Sequence, residues 1–174
     1  MKYAGIGSRE TPKEILSLME VVAENLGSRG WTLRTGGAPG ADTAFFDGAN
    51  MESAHLIELY LPWDGFNDFR YAECWSRLYV NYTPSPEAFA MAEKYHPSYR
   101  YLKQGAKKLM ARNSHQIFGP DMNDPVDCVI CWTEGGKLKG GTAQALRIAI
   151  DHDIPIFNLG NELTFRLFSD IMVS

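Results

Sequence analysis

The chain has 174 residues, 45% of them hydrophobic and 22% charged, with a formal net charge of −4. That is enough for one ordinary domain with one core, and no stretch approaches the roughly 20 uninterrupted apolar residues that cross a bilayer. The acidic balance disfavours nucleic acid as a partner, because a protein that grips a polyphosphate backbone usually presents a basic surface, although a local basic pocket can coexist with an acidic whole.

Met1 to Gly7 lacks the apolar core and cleavage site of a signal peptide and runs directly into a glycine turn, so neither a membrane nor export is expected. Cys74, Cys128 and Cys131 are odd in number and sit in apolar or aromatic surroundings, which argues against a disulfide framework and for a reducing cytoplasm. Cys128 and Cys131 form a C-x-x-C pattern, but inside a strand their side chains point to opposite faces. No metal site is therefore expected there, and no motif calls for a cofactor.

Short apolar runs ending in glycine or small polar residues alternate with longer segments of helical period, the pattern of βα units and a parallel sheet. Tyr3 to Ile6 reads as a strand. Glu14 to Leu26 follows with a helical stripe of Ile15, Leu18, Met19, Val22 and Leu26, with Thr11 as N-cap, Pro12 in the first turn and Gly27 just past the end. Trp31 to Arg34 is a short strand, Gly36 to Asp42 a loop, and Thr43 to Asn50 a helix. His55 to Leu61 is a strand closed by Pro62-Trp63-Asp64-Gly65. From Phe66 to His96 the period weakens, with Pro84 and Pro86 breaking the middle, and no element is predicted. Tyr101 to Ile117 regains a helical pattern, and Val126 to Trp132, the most apolar run, is the expected central strand. A helix from Gly140-Gly141-Thr142 through Ile150, a strand from Ile154 to Asn158 and a helix from about Glu162 complete the chain. The expectation is one α/β domain, Rossmann-like, with a mostly parallel central sheet and helices on both faces.

Three glycine-containing loops each follow a predicted strand and precede a predicted helix: Gly5-Ile6-Gly7-Ser8-Arg9, Gly36 to Asp42, and Gly135 to Thr142. In a parallel sheet all three lie at the carboxyl edge, where open α/β folds bind ligands. Glycine lets backbone approach a ligand, and each following helix points unpaired N–H groups and the positive end of its dipole at an anion. Phosphate is the natural occupant, with Gly7, Ser8, Gly36, Gly37, Gly40, Gly140, Gly141 and Thr142 as its candidate neighbours. Arg9 and Arg34 read either as phosphate partners or as surface arginines in solvated pairs. Asp42 either caps a helix or accepts hydrogen bonds from a ribose.

Helical spacing puts Arg112 and Gln116 one turn apart with Asn113 on the adjoining face. The trio reads as a set that bonds a base edge and a phosphate together, or as a plain polar face above buried Leu109, Met110 and Ile117. His115 is a proton shuttle by residue type or a structural histidine. Trp63, Phe66, Tyr71 and Trp132 lie nearest predicted strand ends, and one of the four is expected to contact ligand.

On Gly5-Ile6-Gly7-Ser8-Arg9, on Gly36-Gly37-Ala38-Pro39-Gly40-Ala41-Asp42 and on Gly140-Gly141-Thr142-Ala143-Gln144-Ala145, the chain resembles the SLOG superfamily. That superfamily includes the DNA-processing protein DprA and the enzymes that release cytokinin bases from their ribotides. The chain is most similar to small stand-alone members from bacteria and their phages, in which a segment like Ala111 to Gln116 precedes the strand ending here in Cys131-Trp132-Thr133. The resemblance implies a Rossmann-like fold and a nucleotide or nucleotide-derived ligand, and it adds Thr133 to the candidate site. One departure stands out. The phosphoribohydrolase members carry P-G-G-x-G-T-x-x-E, and here the glutamate position is Ala145, leaving Glu134, Asp42 or Glu10 to approach the same edge.

The leading expectation is thus a protein that senses or sequesters a nucleotide-type, phosphate-bearing small molecule such as an ADP-ribose derivative. The alternatives are a nucleotide N-glycosidase, in which a carboxylate stabilises an oxocarbenium-like sugar, and a DprA-like single-strand DNA binder. A homo-oligomer is left open.

Overall fold

The computed structural model describes residues 1–51, 53–69 and 79–173, so Tyr71, Cys74 and Trp75 lie outside the described residues. Along the chain come β1 (Lys2–Gly7), α1 (Lys13–Ser28), β2 (Thr32–Thr35), α2 (Ala41–Asn50), β3 (Ile57–Tyr60), β4 (Tyr79–Asn81), α3 (Pro86–Tyr95) and α4 (Gln104–Phe118). Then follow β5 (Cys128–Trp132), α5 (Thr142–Asp151), β6 (Ile156–Asn158) and α6 (Glu162–Val173). The strands form one sheet in the order β4-β3-β2-β1-β5-β6, with every neighbouring pair parallel. This is the expected Rossmann-like α/β arrangement. No helix among the described residues is long and apolar enough to cross a membrane.

Strand alternation splits the core in two. Tyr3, Leu33, Ile57, Leu59, Cys128 and Ile130 face α1 and α2, whereas Ala4, Ile6, Val129 and Cys131 face α5 and the end of α4. β5 lies between β1 and β6 and is buried from Cys128 through Cys131, as its unbroken apolar run required. Cys128 and Cys131 enter different cores, and burial pushes their thiols up to about 11 and about 12, which keeps both protonated and unreactive.

The chain winds outward from β1 through β2 and β3 to β4, then returns through α3 and α4 to place β5 on the other side of β1. The strand order therefore reverses between β1 and β5, and a crevice opens there beyond the carboxyl ends of the strands. α4 is the return crossover, and its last turns, Ala111 to Phe118, are buried at every position.

Four local readings differ from expectation. Gly27 lies within α1, where a Cβ would come within 2.6 Å of Ser53 Oγ, and Thr11 does not cap this helix but donates its hydroxyl to the Ser8 carbonyl at 2.7 Å. Pro86 does not break the chain; it opens α3, with the Ser85 hydroxyl accepting from the Ala88 amide, the position where a missing N–H costs nothing. β4 is too short, at three residues, to carry a readable period.

Arg34 sits inside β2, fully buried. Its Nε donates to Glu58 and its Nη2 to Asp124, each at 2.6 Å, and Asp124 also pairs with Lys2. The hydrogen bond from Lys2, with the Arg34 pair behind it, holds the Asp124 carboxyl below the usual carboxylate range. A depressed carboxyl contributes stability that is present above its unfolded value of about 3.9 and is lost as pH falls through its folded value. Urea unfolding of Asp124→Asn should accordingly give lower stability than wild type at pH 7 and a shallower loss between pH 5 and the onset of acid unfolding; parallel pH profiles would show that the pair carries no linkage.

Candidate functional site

β1, β2 and β5 end at the same edge, and their following loops, closed on one side by α4, surround a pocket of about 420 Å³. Ten of the expected residues line it: Gly7, Ser8 and Arg9 after β1, Asp42 at the start of α2, Arg112, Asn113 and Gln116 on α4, and Gly140, Gly141 and Thr142 before α5. The Ser8 turn is held by its carbonyl, which accepts from the Thr11 and Ala41 amides, and by its hydroxyl, which accepts from the Glu10 amide. A Cβ on Gly7 would lie 2.6 Å from that of Ala41, so the bare strand end is what lets α2 approach β1.

Five expected residues stand elsewhere. Arg34 is consumed by Glu58 and Asp124 on the face of β2 turned to the end of α4. Gly36 makes room for a side chain rather than for a ligand: a Cβ there would stand 1.5 Å from Arg112 Nη1. Gly37 packs on Leu61 and Phe69, and Gly40 packs on the Ser8 and Arg9 backbone, both with positive φ. Thr133 Oγ1 accepts from Asn158 Nδ2 at 2.7 Å and is buried. Sequence reasoning missed Ile6, Ala38, Leu109, Met110, Lys139 and Ala145 on the wall. Leu109 and Met110 were legible as the helical neighbours, one turn back, of Arg112 and Asn113, and Lys139 directly precedes the glycine pair.

The two carboxyl-edge helix starts differ electrically. At α2 the Asp42 carboxylate fills the amide nest, accepting from Ala38 at 3.4 Å, with the Gly7 and Gly36 amides also acting on it. Arg112 lies 3.3 Å from it and donates to the Gly36 carbonyl. Burial pushes the Asp42 carboxyl up, and Arg112 and the amides pull it back; burial likewise lowers the Arg112 value against the pull of Asp42, with the like charge of Arg9 adding to the lowering. At α5 no side chain caps the first turn; the Ala143 amide donates to the Gly140 carbonyl, and the other first-turn N–H groups are open to an anion.

The buried polar run on α4 can be accounted for atom by atom. Asn113 donates to the Gly141 carbonyl at 3.2 Å. Ser114 accepts from Gln144 and donates to Met110 O. His115 accepts from the Ser85 amide at Nε2, faces the Gly119 carbonyl from Nδ1 at 2.8 Å and stacks on Tyr60, which makes it structural. Arg112 Nε and Gln116 Nε2 remain without a partner although both residues are buried. Burial without a partner is costly, and both residues belong to the pocket wall.

The wall's carboxylate is that of Asp42, already committed to Arg112. Glu134 is exposed and paired with Lys139, and Ala145 occupies the position where hydrolases of the resembled family have glutamate. Arg9 is exposed and makes no ion pair among the described residues. No group of metal-ligating side chains occurs among the described residues. Of the expected aromatics, Phe66 backs the site with its ring 5.6 Å from the Arg112 guanidinium carbon, Trp63 packs on Phe66, and Trp132 joins the core.

No family model matches the chain, and no curated protein matches it. Among solved structures, DNA processing protein A from Helicobacter pylori matches with a TM-score of 0.60 at 21% identity, over 91% of this chain. The fold is DprA-like. The chain spans 64% of that protein, whose structure is described for a single-stranded DNA binding mode. The expectation that set nucleic acid aside as a partner is therefore corrected: this fold serves a single-stranded DNA binder, and a net charge averaged over the chain does not report the charge beside one pocket.

The geometry separates two kinds of glycine. Gly37→Val places a branched side chain at φ +65 against Leu61 and Phe69 and should lower the melting temperature. Gly141 has an ordinary helical backbone and only Met110 Cε nearby, at 3.6 Å. Gly141→Val should alter stability by less than about 0.5 kcal/mol while weakening phosphate binding, read by calorimetry, on the order of tenfold. Equal losses of stability in the two variants would contradict this division.

Proposed function

We propose that the pocket binds a phosphate-bearing nucleotide unit of single-stranded DNA. The observation that carries the proposal is the pair of buried nitrogens without partners, Arg112 Nε and Gln116 Nε2, on a wall shared with the uncapped start of α5. Donors left unsatisfied by the fold are satisfied by a ligand with acceptor oxygens. Rotation of the Gln116 terminal torsion, which is broad, turns its amide toward the pocket. Arg9 supplies positive charge at the rim.

Single-stranded DNA as the source of that unit is supported by the DprA-like fold and by the distribution of charge. Between Lys94 and Pro120 the chain carries Lys94, Arg100, Lys103, Lys107, Lys108 and Arg112 and no Asp or Glu, and between Gly135 and Ile150 it carries Lys137, Lys139 and Arg147, again with no carboxylate. Within these two segments Lys94, Arg112 and Lys139 are paired with Asp151, Asp42 and Glu134, and the remaining cations leave the neighbourhood of the pocket a local positive balance. A second reading, a free nucleotide-type ligand such as an ADP-ribose derivative, is favoured by the pocket itself, whose size falls within the ordinary range for small-molecule sites. Glycosidic cleavage finds no support, since no uncommitted carboxylate stands on the wall.

Gln116→Leu tests the central element. It removes a buried donor whose lack of a partner costs about 1–3 kcal/mol, so the melting temperature should hold or rise. Affinity for a fluorescent dT oligonucleotide, measured by anisotropy, should fall about tenfold. Unchanged affinity together with lower stability would mark Gln116 as a packing residue. Wild-type protein that ignores dT oligonucleotides but binds mononucleotides in calorimetry would favour the free ligand.

A further inference from the structure

Trp63 is left over by the site described above. It follows β3 in a loop and remains 38% exposed, a large apolar ring kept at the surface. Its ring meets Phe66 edge to face, with centroids 5.2 Å apart and planes at 86°. In either sense of that T-shaped contact, at least one indole face stays clear of Phe66. Phe66 in turn lies under the Arg112 guanidinium, so two ring contacts connect the pocket's buried arginine to the surface indole.

On its other side, Trp63 Cζ3 lies 4.0 Å from where a Cβ on Gly105 would stand, against the first turn of α4. Along that helix Lys107 and Lys108 come next, and Leu109 and Met110 follow on the pocket wall. The stretch from Trp63 to the pocket is thus one short path with an aromatic ring at one end, Lys108 beside it one turn from Gly105 and phosphate-seeking donors at the other, whereas Lys107 turns away and lies over the Tyr99 ring. That sequence of groups, a π-face beside a cationic track, is what a single strand requires, because every base stacks and every linkage carries a negative charge. A free mononucleotide seated in the pocket has no second base to place on Trp63.

We infer that Trp63 is a stacking platform for the base of a nucleotide adjacent to the one held in the pocket, with the connecting backbone passing Lys108. This rests on the single-stranded DNA reading, and the experiment is arranged so that the two can fail separately. Binding of a fluorescein-labelled dT oligonucleotide and of thymidine 5′-monophosphate is measured for wild type, Trp63→Ala and Trp63→Phe, with melting temperatures alongside.

Trp63→Ala should lose about fivefold to a hundredfold in oligonucleotide affinity, the range one stacked base supplies, with monophosphate affinity unchanged. Trp63→Phe should keep most of the oligonucleotide affinity. It should also lose the part of the intrinsic fluorescence quenching on binding that wild type owes to this indole, a readout that a merely structural role would not give. Full oligonucleotide affinity in Trp63→Ala overturns the platform while leaving the pocket reading intact. Equal losses for oligonucleotide and monophosphate, or a loss in Trp63→Phe that tracks a drop in melting temperature, also overturn it. A wild-type protein that binds no oligonucleotide defeats the reading beneath it.

Discussion

Asp42 and Arg112 form a buried ion pair at the sheet's switch point, and the arrangement of the candidate site follows from it. Two charges out of water demand close geometry and additional hydrogen bonds, and removal of one partner alone costs about 3–5 kcal/mol. Here the carboxylate rests against the amides of Gly7, Gly36 and Ala38, at the end of β1 and in the loop after β2, and the guanidinium is held by the Gly36 carbonyl and backed by Phe66. The pair binds the return crossover α4 to the loop after β2, which fixes the width of the crevice between them. It also sets a requirement on the sequence, since any side chain at position 36 would occupy the guanidinium's place.

With the Asp42 carboxylate taken up by loop amides and Arg112, the pocket wall offers the uncapped start of α5 and two unmet donors on α4. Anion-seeking groups on α4, at the α5 start and at Arg9 thus line one pocket. Stability and function divide along the same line. The Arg34, Glu58 and Asp124 network lies on the sheet face turned to the end of α4, whereas Arg112 and Gln116 are left incomplete by the fold. A polar group kept buried and unpaired is a cost that selection for stability alone would remove.

Much of this was legible in the sequence. The alternation of apolar runs with helical stripes gave the order of strands and helices, and glycine after three strands located the carboxyl edge. What could not be read was which glycine served the ligand and which served packing. Gly36 and Gly141 look alike in sequence, yet one accommodates Arg112 and the other opens a helix start, a difference set by a helix some 70 residues away along the chain. Arg34 misled for a related reason: a strand-end arginine resembles a phosphate partner until the pairing of β3 brings Glu58 beside it. β4 and α3 were hidden because β4 is short and Pro86, read as a breaker, begins a helix. Net charge misled because it averages over the chain, whereas two segments beside the pocket carry Lys and Arg with no Asp or Glu within them.

The central claim is that Gln116 is unsatisfied in the free protein and engaged by phosphate in the complex. The chain has three glutamines, Gln104, Gln116 and Gln144, so side-chain amide signals of protein labelled with nitrogen-15 at glutamine can be assigned and followed during titration with a dT oligonucleotide. The account predicts that the Gln116 amide protons shift strongly and become protected from exchange at saturation, while those of Gln144, already bonded to Ser114, move little. Saturating binding with the Gln116 signals unmoved would contradict it.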